Sequence, residues 1–226
     1  MAIVAPGSST TTSASEGSTS YTVPLAVVTT LFFMWGFLTC LNDILVPHLK
    51  PIFDLNYKEI MLIQFAFFGA YFVFSIPSAK VIDWIGYQRS MVVGLLTMGA
   101  GAFLFVPAAS VPSYPLFLVA LIVLAAGITC LQVAANPYVT VLGNPATASS
   151  RLNLTQAFNS LGTFLAPFFG GLFILSAAPK TIEEIRALAP DALRAYRLHE
   201  AATVKTPYVG LGLALVLLAI AIGTFK

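Results

Sequence analysis

The sequence predicts an all-α integral membrane protein with six transmembrane helices, and three observations lead to this fold class. First, 58% of the 226 residues are hydrophobic, only 9% are charged, and the mean hydropathy is +0.89; a soluble domain carries about 25% charged residues. Second, the charged residues leave five uncharged intervals, each long enough for a helix of about 20 residues to cross a bilayer. Third, the longest interval, 90–150, is interrupted by a Pro-rich turn at 111–115, so it holds two helices.

The boundaries of the elements follow from these charges and turns. The predicted spans cover residues 22–47, 59–82, 90–107, 115–142, 152–176 and 206–226. Residues 1–21 form a Ser/Thr/Gly-rich tail that we expect to be disordered. The tail lacks the basic residues of a signal peptide, so the first span is expected to be retained. The segment 180–205 carries mixed charges and apolar residues at helical spacing, which predicts two short interfacial helices, with a solvated loop as the alternative.

Composition also excludes several functions. A net charge of +2 without a basic cluster argues against nucleic acid as a partner, since nucleic-acid binding needs a positive stripe. The two cysteines, Cys40 and Cys130, lie inside predicted spans, and no Cys/His cluster indicates a metal site. The histidines, His48 and His199, lie in predicted interfacial segments, so no nucleophile and base pair points to an enzyme. The sequence therefore predicts no catalytic residue, no metal and no bound cofactor.

Polar side chains form stripes on three of the predicted helices. A polar group in hydrocarbon costs free energy unless it is paired or faces water, so such residues are candidates for function. The members of each stripe repeat at helical spacing or are adjacent: Thr129, Gln132, Asn136 and Thr140 on the fourth helix; Asn153, Gln156, Asn159 and Thr163 on the fifth; Thr39, Asn42 and Asp43 on the first. We interpret the stripes as the lining of a hydrated cavity; the alternative is that they join helices to one another.

The residue types in these stripes suit a sugar. Each amide offers one acceptor and one donor group, which matches the vicinal hydroxyls of a monosaccharide. Trp35, two helical turns before Asn42, is a candidate for stacking on the sugar ring, with packing or anchoring as the alternative. Asp43 is the only acid well within a predicted span, and intramembrane acids serve as proton relays in transporters. The alternative for Asp43 is an acid near a helix end that simply reaches water.

Two short sequence motifs in the first half of the chain are repeated, with differences, in the second half. Residues 39–42 read Thr-Cys-Leu-Asn and residues 129–132 read Thr-Cys-Leu-Gln, at an offset of 90. Residues 64–69 and 156–162 share Gln, Phe and Gly at a similar offset. Three helices per copy place the second copy upside down relative to the first. The sequence therefore predicts a 3+3 inverted repeat, as secondary transporters contain.

Three motifs then resemble a known family. The stretches at residues 42–47, 132–139 and 151–162 are similar to the fucose/galactose/glucose symporter family, the fucose permease branch of the major facilitator superfamily. The resemblance runs from about residue 24 to the end. Asp83, Gly86 and Arg89 resemble a degenerate form of the superfamily's cytoplasmic loop motif between helices two and three. This implies cytoplasmic termini in a bacterial inner membrane, although a raw count of Lys and Arg points the other way.

The family resemblance implies a twelve-helix transporter in two halves that takes up a monosaccharide with a cation by alternating access. An Asp of the family's helix one matches Asp43, which implies cation coupling, and amides of helix five match Gln156 and Asn159. Where fucose permeases have an acid in helix four, this chain has Gln132. Gln132 cannot titrate, so a proton would be coupled through Asp43 alone, or the coupling ion is sodium.

The form of residues 132–138 is similar to that of the glucose/galactose members, so glucose or galactose is favoured over fucose and N-acetylglucosamine. The expected substrate-binding residues share polar or aromatic side chains on three helices: Trp35, Asn42, Gln132, Asn136, Gln156 and Asn159. The chain resembles the N-terminal half of such a transporter. Its expected partners are therefore the bilayer, a sugar, and either a C-terminal half or a second chain. The alternative from another class is a membrane sensor or scaffold that transports nothing.

Overall fold

The chain folds into helices joined by short turns. The structure is a computed structural model that describes residues 21–111, 113–173, 180 and 182–224. Within these residues every regular element is a helix, so the all-α prediction is confirmed. The α-helices are α1 (Thr22–Phe53), α2 (Tyr57–Ser110), α3 (Tyr114–Val141), α4 (Ala148–Phe173), α5 (Ile182–Arg186), α6 (Pro190–Thr203) and α7 (Lys205–Thr224). Apart from Tyr21, the predicted tail lies outside the described residues.

The helix α2 contains two of the predicted spans. Its 54 residues correspond to about 81 Å at about 1.5 Å per residue, more than twice the bilayer core of about 30 Å. The helix changes direction at Gly86, where φ is 78° and ψ is 171°. This region of backbone space is essentially restricted to glycine. We call residues 57–85 the first limb of α2 and residues 87–110 its second limb; the segment predicted as a loop is therefore helical on both sides of Gly86.

Length and composition mark four described segments as able to cross a membrane: Thr22–Leu45, Tyr57–Ser110, Tyr114–Val141 and Pro190–Thr224. The 26-residue α4 is long enough to cross but is not among these segments. Its run of Asn, Gln, Ser and Thr makes it less apolar than its neighbours. The segment predicted to be interfacial contains α5 and α6, and α6 contacts α1, α2 and α7.

Two pairs of helices approach so closely that glycine is required at the contact. In the α1/α4 pair, a Cβ on Gly36 would overlap the Asn159 carbonyl and one on Gly162 would overlap the Phe33 carbonyl. In the pair formed by α3 and the second limb, a Cβ on Gly127 would overlap the backbone of Met98. Small residues allow this kind of backbone approach between membrane helices. The buried side chains of the helices form one hydrophobic core. Its fully buried members include Leu31, Phe67, Phe105, Phe117 and Tyr208.

The helix contacts agree with the repeat found in the sequence. The repeat relates α1 to α3 and the first limb of α2 to α4. If α1 corresponds to α3 and α4 corresponds to the first limb, the α1/α4 contact should have a counterpart between α3 and the first limb. That contact is present, because the Tyr114 hydroxyl at the start of α3 donates to the Glu59 carbonyl of the first limb at 2.7 Å.

Candidate functional site

The α1/α4 contact holds part of the predicted polar stripe in place. Asn159 Nδ2 on α4 donates to the Phe32 carbonyl of α1 at 3.0 Å. One turn further along α4, Thr163 Oγ1 lies 3.4 Å from the Gly36 carbonyl. Both bonds use helix carbonyls that already accept within α1, and they can be reached because Gly36 and Gly162 bring the two backbones together. The close contact thus fixes the orientation of Asn159.

A second set of contacts joins α4 to α3. Gln156 Nε2 lies 3.5 Å from Asn136 Oδ1, and Asn136 Nδ2 donates to the Gln132 carbonyl at 3.0 Å. The side chains of all three residues are partly accessible. Two of the amides expected to bind sugar, Gln156 and Asn136, are therefore in contact, whereas Gln132 contributes its backbone carbonyl. Thr129 differs from them: it is buried, and its hydroxyl bonds to the Ala125 carbonyl of its own helix.

The polar residues of α1 face the first limb of α2. The Asp43 carboxylate is exposed and accepts a hydrogen bond from Gln64 Nε2 at 3.3 Å. About two turns after Gln64 on the first limb, Tyr71 lies close to Thr39 and Trp35 of α1. The expected coupling residue and the expected stacking residue thus lie along the same contact between α1 and α2.

Gln64 and Tyr71 were missed as site residues by the reasoning from sequence. A signal for Gln64 was present, because the internal repeat aligns it with Gln156. Tyr71 gave no comparable signal, since an aromatic residue in an apolar run is ordinary core material. The structure adds both residues to the candidate site through their contacts with α1.

Asn42 occupies a different environment from Asp43. Its side chain is fully buried, and neither Oδ1 nor Nδ2 has a hydrogen-bond partner in the part of the chain that the structure describes. An unpaired buried amide costs about 1–3 kcal/mol. Asn42 is therefore buried among the helices rather than exposed, and its role as a substrate ligand stays a prediction.

Together these contacts involve a series of polar residues on four helical segments. The series comprises Asn136 on α3, Gln156 and Asn159 on α4, Asp43 on α1 and Gln64 on α2. Gln156 contacts Asn136, and Gln64 contacts Asp43, whereas Asn159 reaches α1 through the Phe32 carbonyl. Exposed aromatic side chains flank it on both sides: Phe65, Phe68 and Phe72 on the first limb, Phe164 and Phe168 on α4. We call the series the polar surface. It offers alternating donors and acceptors together with a single carboxylate.

Two other features lie apart from the polar surface. Asp83 and Arg89 are exposed on either side of the bend at Gly86, about 29 Å along α2 from Gln64. A cavity of about 560 Å³ between α1 and α4 is lined by apolar residues such as Leu25, Phe33 and Leu161, and contains none of the expected substrate ligands. Among the described residues, no group of three or more His, Cys, Asp and Glu side chains is arranged to hold a metal ion.

These features define the chain as a helical membrane protein with a polar surface formed by its spans. The family model of the Major Facilitator Superfamily matches residues 25–225. The chain therefore belongs to the major facilitator superfamily.

The curated proteins with similar sequences include transporters named for sugars. The chain is 55% identical over 207 residues to the "Glucose/galactose transporter" of Brucella abortus biovar 1 (strain 9-941), covering 92% of this chain and 47% of the relative. It is 42% identical to the "L-fucose-proton symporter" of Escherichia coli (strain K12), covering 85% of this chain and 44% of the relative. The chain thus spans about half the length of the curated relatives it matches.

A solved structure gives the same result for the fold. The crystal structure of the E. coli fucose:proton symporter matches with a TM-score of 0.81 at 38% identity, covering 92% of this chain and 50% of that chain. The crystal structure of the major facilitator transporter FucP in the outward conformation matches with a TM-score of 0.82 at 40% identity, covering 91% of this chain and 50% of that chain. The prediction of half of a major facilitator transporter is therefore confirmed.

Proposed function

We propose that this chain supplies the N-terminal half of a transporter that takes up a monosaccharide together with a cation by alternating access. The observation that carries the proposal is the polar surface, in which amides on α3 and α4 are linked to one another and to α1. Its donors and acceptors match sugar hydroxyls, whereas a charged metabolite would require fixed counter-charges. The names of the relatives support transport of a sugar.

Glucose or galactose is the proposed substrate. Relatives named as glucose/galactose transporters are 55% identical in Brucella abortus and 49% identical in Helicobacter pylori (strain J99 / ATCC 700824), compared with 42% for the E. coli fucose symporter. Fucose is the second candidate because that relative and the matching crystal structure are fucose symporters. Gln156 and Asn159 are the proposed sugar ligands, joined by Asn136 and Gln132, with Trp35 as the stacking residue.

Asp43 is the proposed coupling residue. It is the carboxylate of the polar surface, and it is exposed, so an ion arriving from water can reach it. The ion is a proton or sodium; either one would neutralise the carboxylate when it binds. We place the protein in the bacterial inner membrane with cytoplasmic termini, partnered by a second six-helix half. In this role it binds and releases sugar without chemical change and uses no cofactor.

The sugar site is tested by binding measurements on the complete protein. Gln156→Ala and Asn159→Ala should each weaken glucose binding by about tenfold, since each removes one or more hydrogen bonds of about 0.5–1.5 kcal/mol. Thr97→Ala is the control, because Thr97 lies on the second limb and its hydroxyl bonds only to the Val93 carbonyl of its own helix. Unchanged glucose affinity in both amide variants would favour a sensor or scaffold and contradict the proposal.

The coupling role is tested separately in proteoliposomes under proton and sodium gradients applied one at a time. Asp43→Asn should abolish concentrative uptake while sugar exchange at equal concentrations continues. Asp54→Asn is the matched control: it makes the same change at the exposed C-terminal cap of α1, where φ is 53° and Asn is well tolerated. Concentrative uptake by Asp43→Asn at the original rate would refute the coupling role of this residue.

A further inference from the structure

A pocket of about 450 Å³ lies at one end of the bundle, between the C-terminal end of α2 and the short helix α6, and none of its lining residues belongs to the polar surface. Arg194 and Arg197 line it from α6. They are three residues apart and therefore share one face of the helix. Apolar side chains complete the wall: Val111 from the end of α2, and Leu193 and Leu198 from α6.

The two arginines are not paired within the described lining of this pocket. No acidic residue lines the pocket, and no ion pair to Arg194 or Arg197 is present among the described residues. The Nε of Arg197 is buried and has no hydrogen-bond partner there. Because a guanidinium presents its donors in a fixed planar fork, it matches the oxygens of a carboxylate or phosphate. The pocket thus combines two cations with a donor that needs an acceptor.

The N-terminal end of α6 also lies at this pocket, and Asp191 in the first turn offsets part of its positive potential. Pro190, the first residue of the 14-residue helix, also lines the pocket. The N-cap residue, Ala189, makes no side-chain capping bond. The first backbone N–H groups of the helix therefore lack a capping side chain, and the helix dipole favours an anion at this end.

The apolar side of the pocket indicates what kind of anion it suits. Val111 is 73% exposed and Leu198 is 40% exposed, at the level where the spans end. A free inorganic anion would gain nothing from these side chains. A molecule with a phosphate group joined to hydrocarbon would pair with the arginines and cover the apolar wall at the same time.

We propose that the pocket between α2 and α6 binds a phosphate group, and that this group belongs to the head of an anionic phospholipid of the surrounding membrane. The lipid holds α6 against the end of α2 by bridging the two elements. The site is independent of the proposed sugar transport, since it shares no residue with the polar surface.

The test measures thermal unfolding and native mass spectra of the complete protein purified in a neutral detergent. Three additions are compared: phosphatidylglycerol, phosphatidylcholine and inorganic phosphate. We expect phosphatidylglycerol to raise the unfolding midpoint and to remain bound in the mass spectra. The double variant Arg194→Gln/Arg197→Gln should weaken that binding by at least about tenfold, since two charge-assisted contacts are lost.

Lys58→Gln is the control, because Lys58 is exposed near the start of α2, at the end of the bundle where Glu59 meets Tyr114. It should bind phosphatidylglycerol as the unsubstituted protein does. If the double variant does not fold, Arg194→Gln alone serves, since Arg194 is exposed. Equal binding of phosphatidylcholine, or unchanged binding in the arginine variants, would overturn the site. An equal effect of inorganic phosphate at millimolar concentration would overturn the lipid as its source.

Discussion

The two glycine-mediated helix pairs of this bundle make similar backbone contacts in opposite surroundings. In the α1/α4 pair, Gly36 and Gly162 each face the backbone of the partner helix. In the pair formed by α3 and the second limb of α2, Gly94 and Gly127 do the same. Partly accessible polar side chains gather beside the first pair, while the residues beside the second pair are buried and mostly apolar, such as Met98, Leu95 and Leu131.

The difference shows how one packing device serves two purposes. Where the contact is enclosed, close approach only increases the packing between helices. Where it lies near the surface, it also brings the carbonyls of Phe32 and Gly36 within reach of polar side chains on α4. The α1/α4 pair thereby orients Asn159 and Thr163. In the second pair, the cross-helix polar contact is a weak one, from Cys130 Sγ to the Ser90 carbonyl at 3.5 Å.

The largest effect is expected from breaking the enclosed pair. Gly127→Val places a branched side chain against the backbone of Met98, which cannot move aside without separating the helices. We expect a destabilisation on the order of 3 kcal/mol, at the upper end for overpacked cores. The unfolding midpoint in detergent measures it. Gly210→Ala is the control, because no atom lies within 4 Å of a Cβ there; equal midpoints in the two variants would show that the contact is not tight.

Gly162→Ala should affect function more than stability. The added methyl group pushes α4 away from α1 at Phe33 and lengthens the bond from Asn159 to the Phe32 carbonyl. We expect about a tenfold loss of sugar affinity, corresponding to about 1.4 kcal/mol. Gly171→Ala, on the same helix with open space at its Cβ, should bind sugar normally. A binding assay that ranks these two variants equally would contradict the proposed role of the α1/α4 contact.

The two limbs of α2 each contain a glutamine, and the two glutamines differ in whether they contact a residue of the polar surface. Gln64 on the first limb bonds to Asp43, whereas Gln88 on the second limb donates to the Ile222 carbonyl of α7 at 2.7 Å. Gln64→Ala should shift the cation concentration for half-maximal uptake by about three- to tenfold, since Asp43 loses a hydrogen bond. Gln88→Ala should instead lower the unfolding midpoint. Uptake titrations and melting curves on both variants check this separation, and the reverse pattern would refute it.

Thr129→Ala is expected to have the smallest effect. Sequence spacing places Thr129 on the same stripe as Gln132 and Asn136, but the structure buries it against its own helix. Sugar affinity should therefore change by less than about twofold, since no hydrogen bond to a ligand is lost. A larger loss of affinity would mean that the polar surface extends deeper along α3.

Much of the fold follows from where the charges fall. Arg89, Arg151 and Lys180 bound uncharged intervals, and the cost of burying a charge in hydrocarbon fixes which segments cross the membrane. The continuation of α2 through the bend was not predictable in the same way. A Gly with neighbouring charges is typical of a loop, and only the backbone angles show that Gly86 redirects a helix. Local sequence permits a φ of 78° at a glycine but does not require it.

The candidate site was predictable to the extent that helical spacing defines a face. Gln132, Asn136, Gln156 and Asn159 fall on two stripes, and the structure joins the stripes through the contact between Gln156 and Asn136. Spacing does not reveal how each stripe is rotated relative to its neighbours. Asn42 and Asp43 are adjacent in sequence but about 100° apart around α1, so one is buried and the other is exposed.

The low apolarity of α4 has a consequence for how the chain enters its membrane. A helix rich in Asn, Gln and Thr gains little by moving alone from the translocon into lipid. During synthesis α1 emerges well before α4 and can offer the Phe32 and Gly36 carbonyls to its polar side chains. We expect an insertion assay to integrate residues 148–173 poorly in isolation and efficiently when α1 is already in the bilayer. The contacts that orient the amides would then also recruit α4 into the membrane.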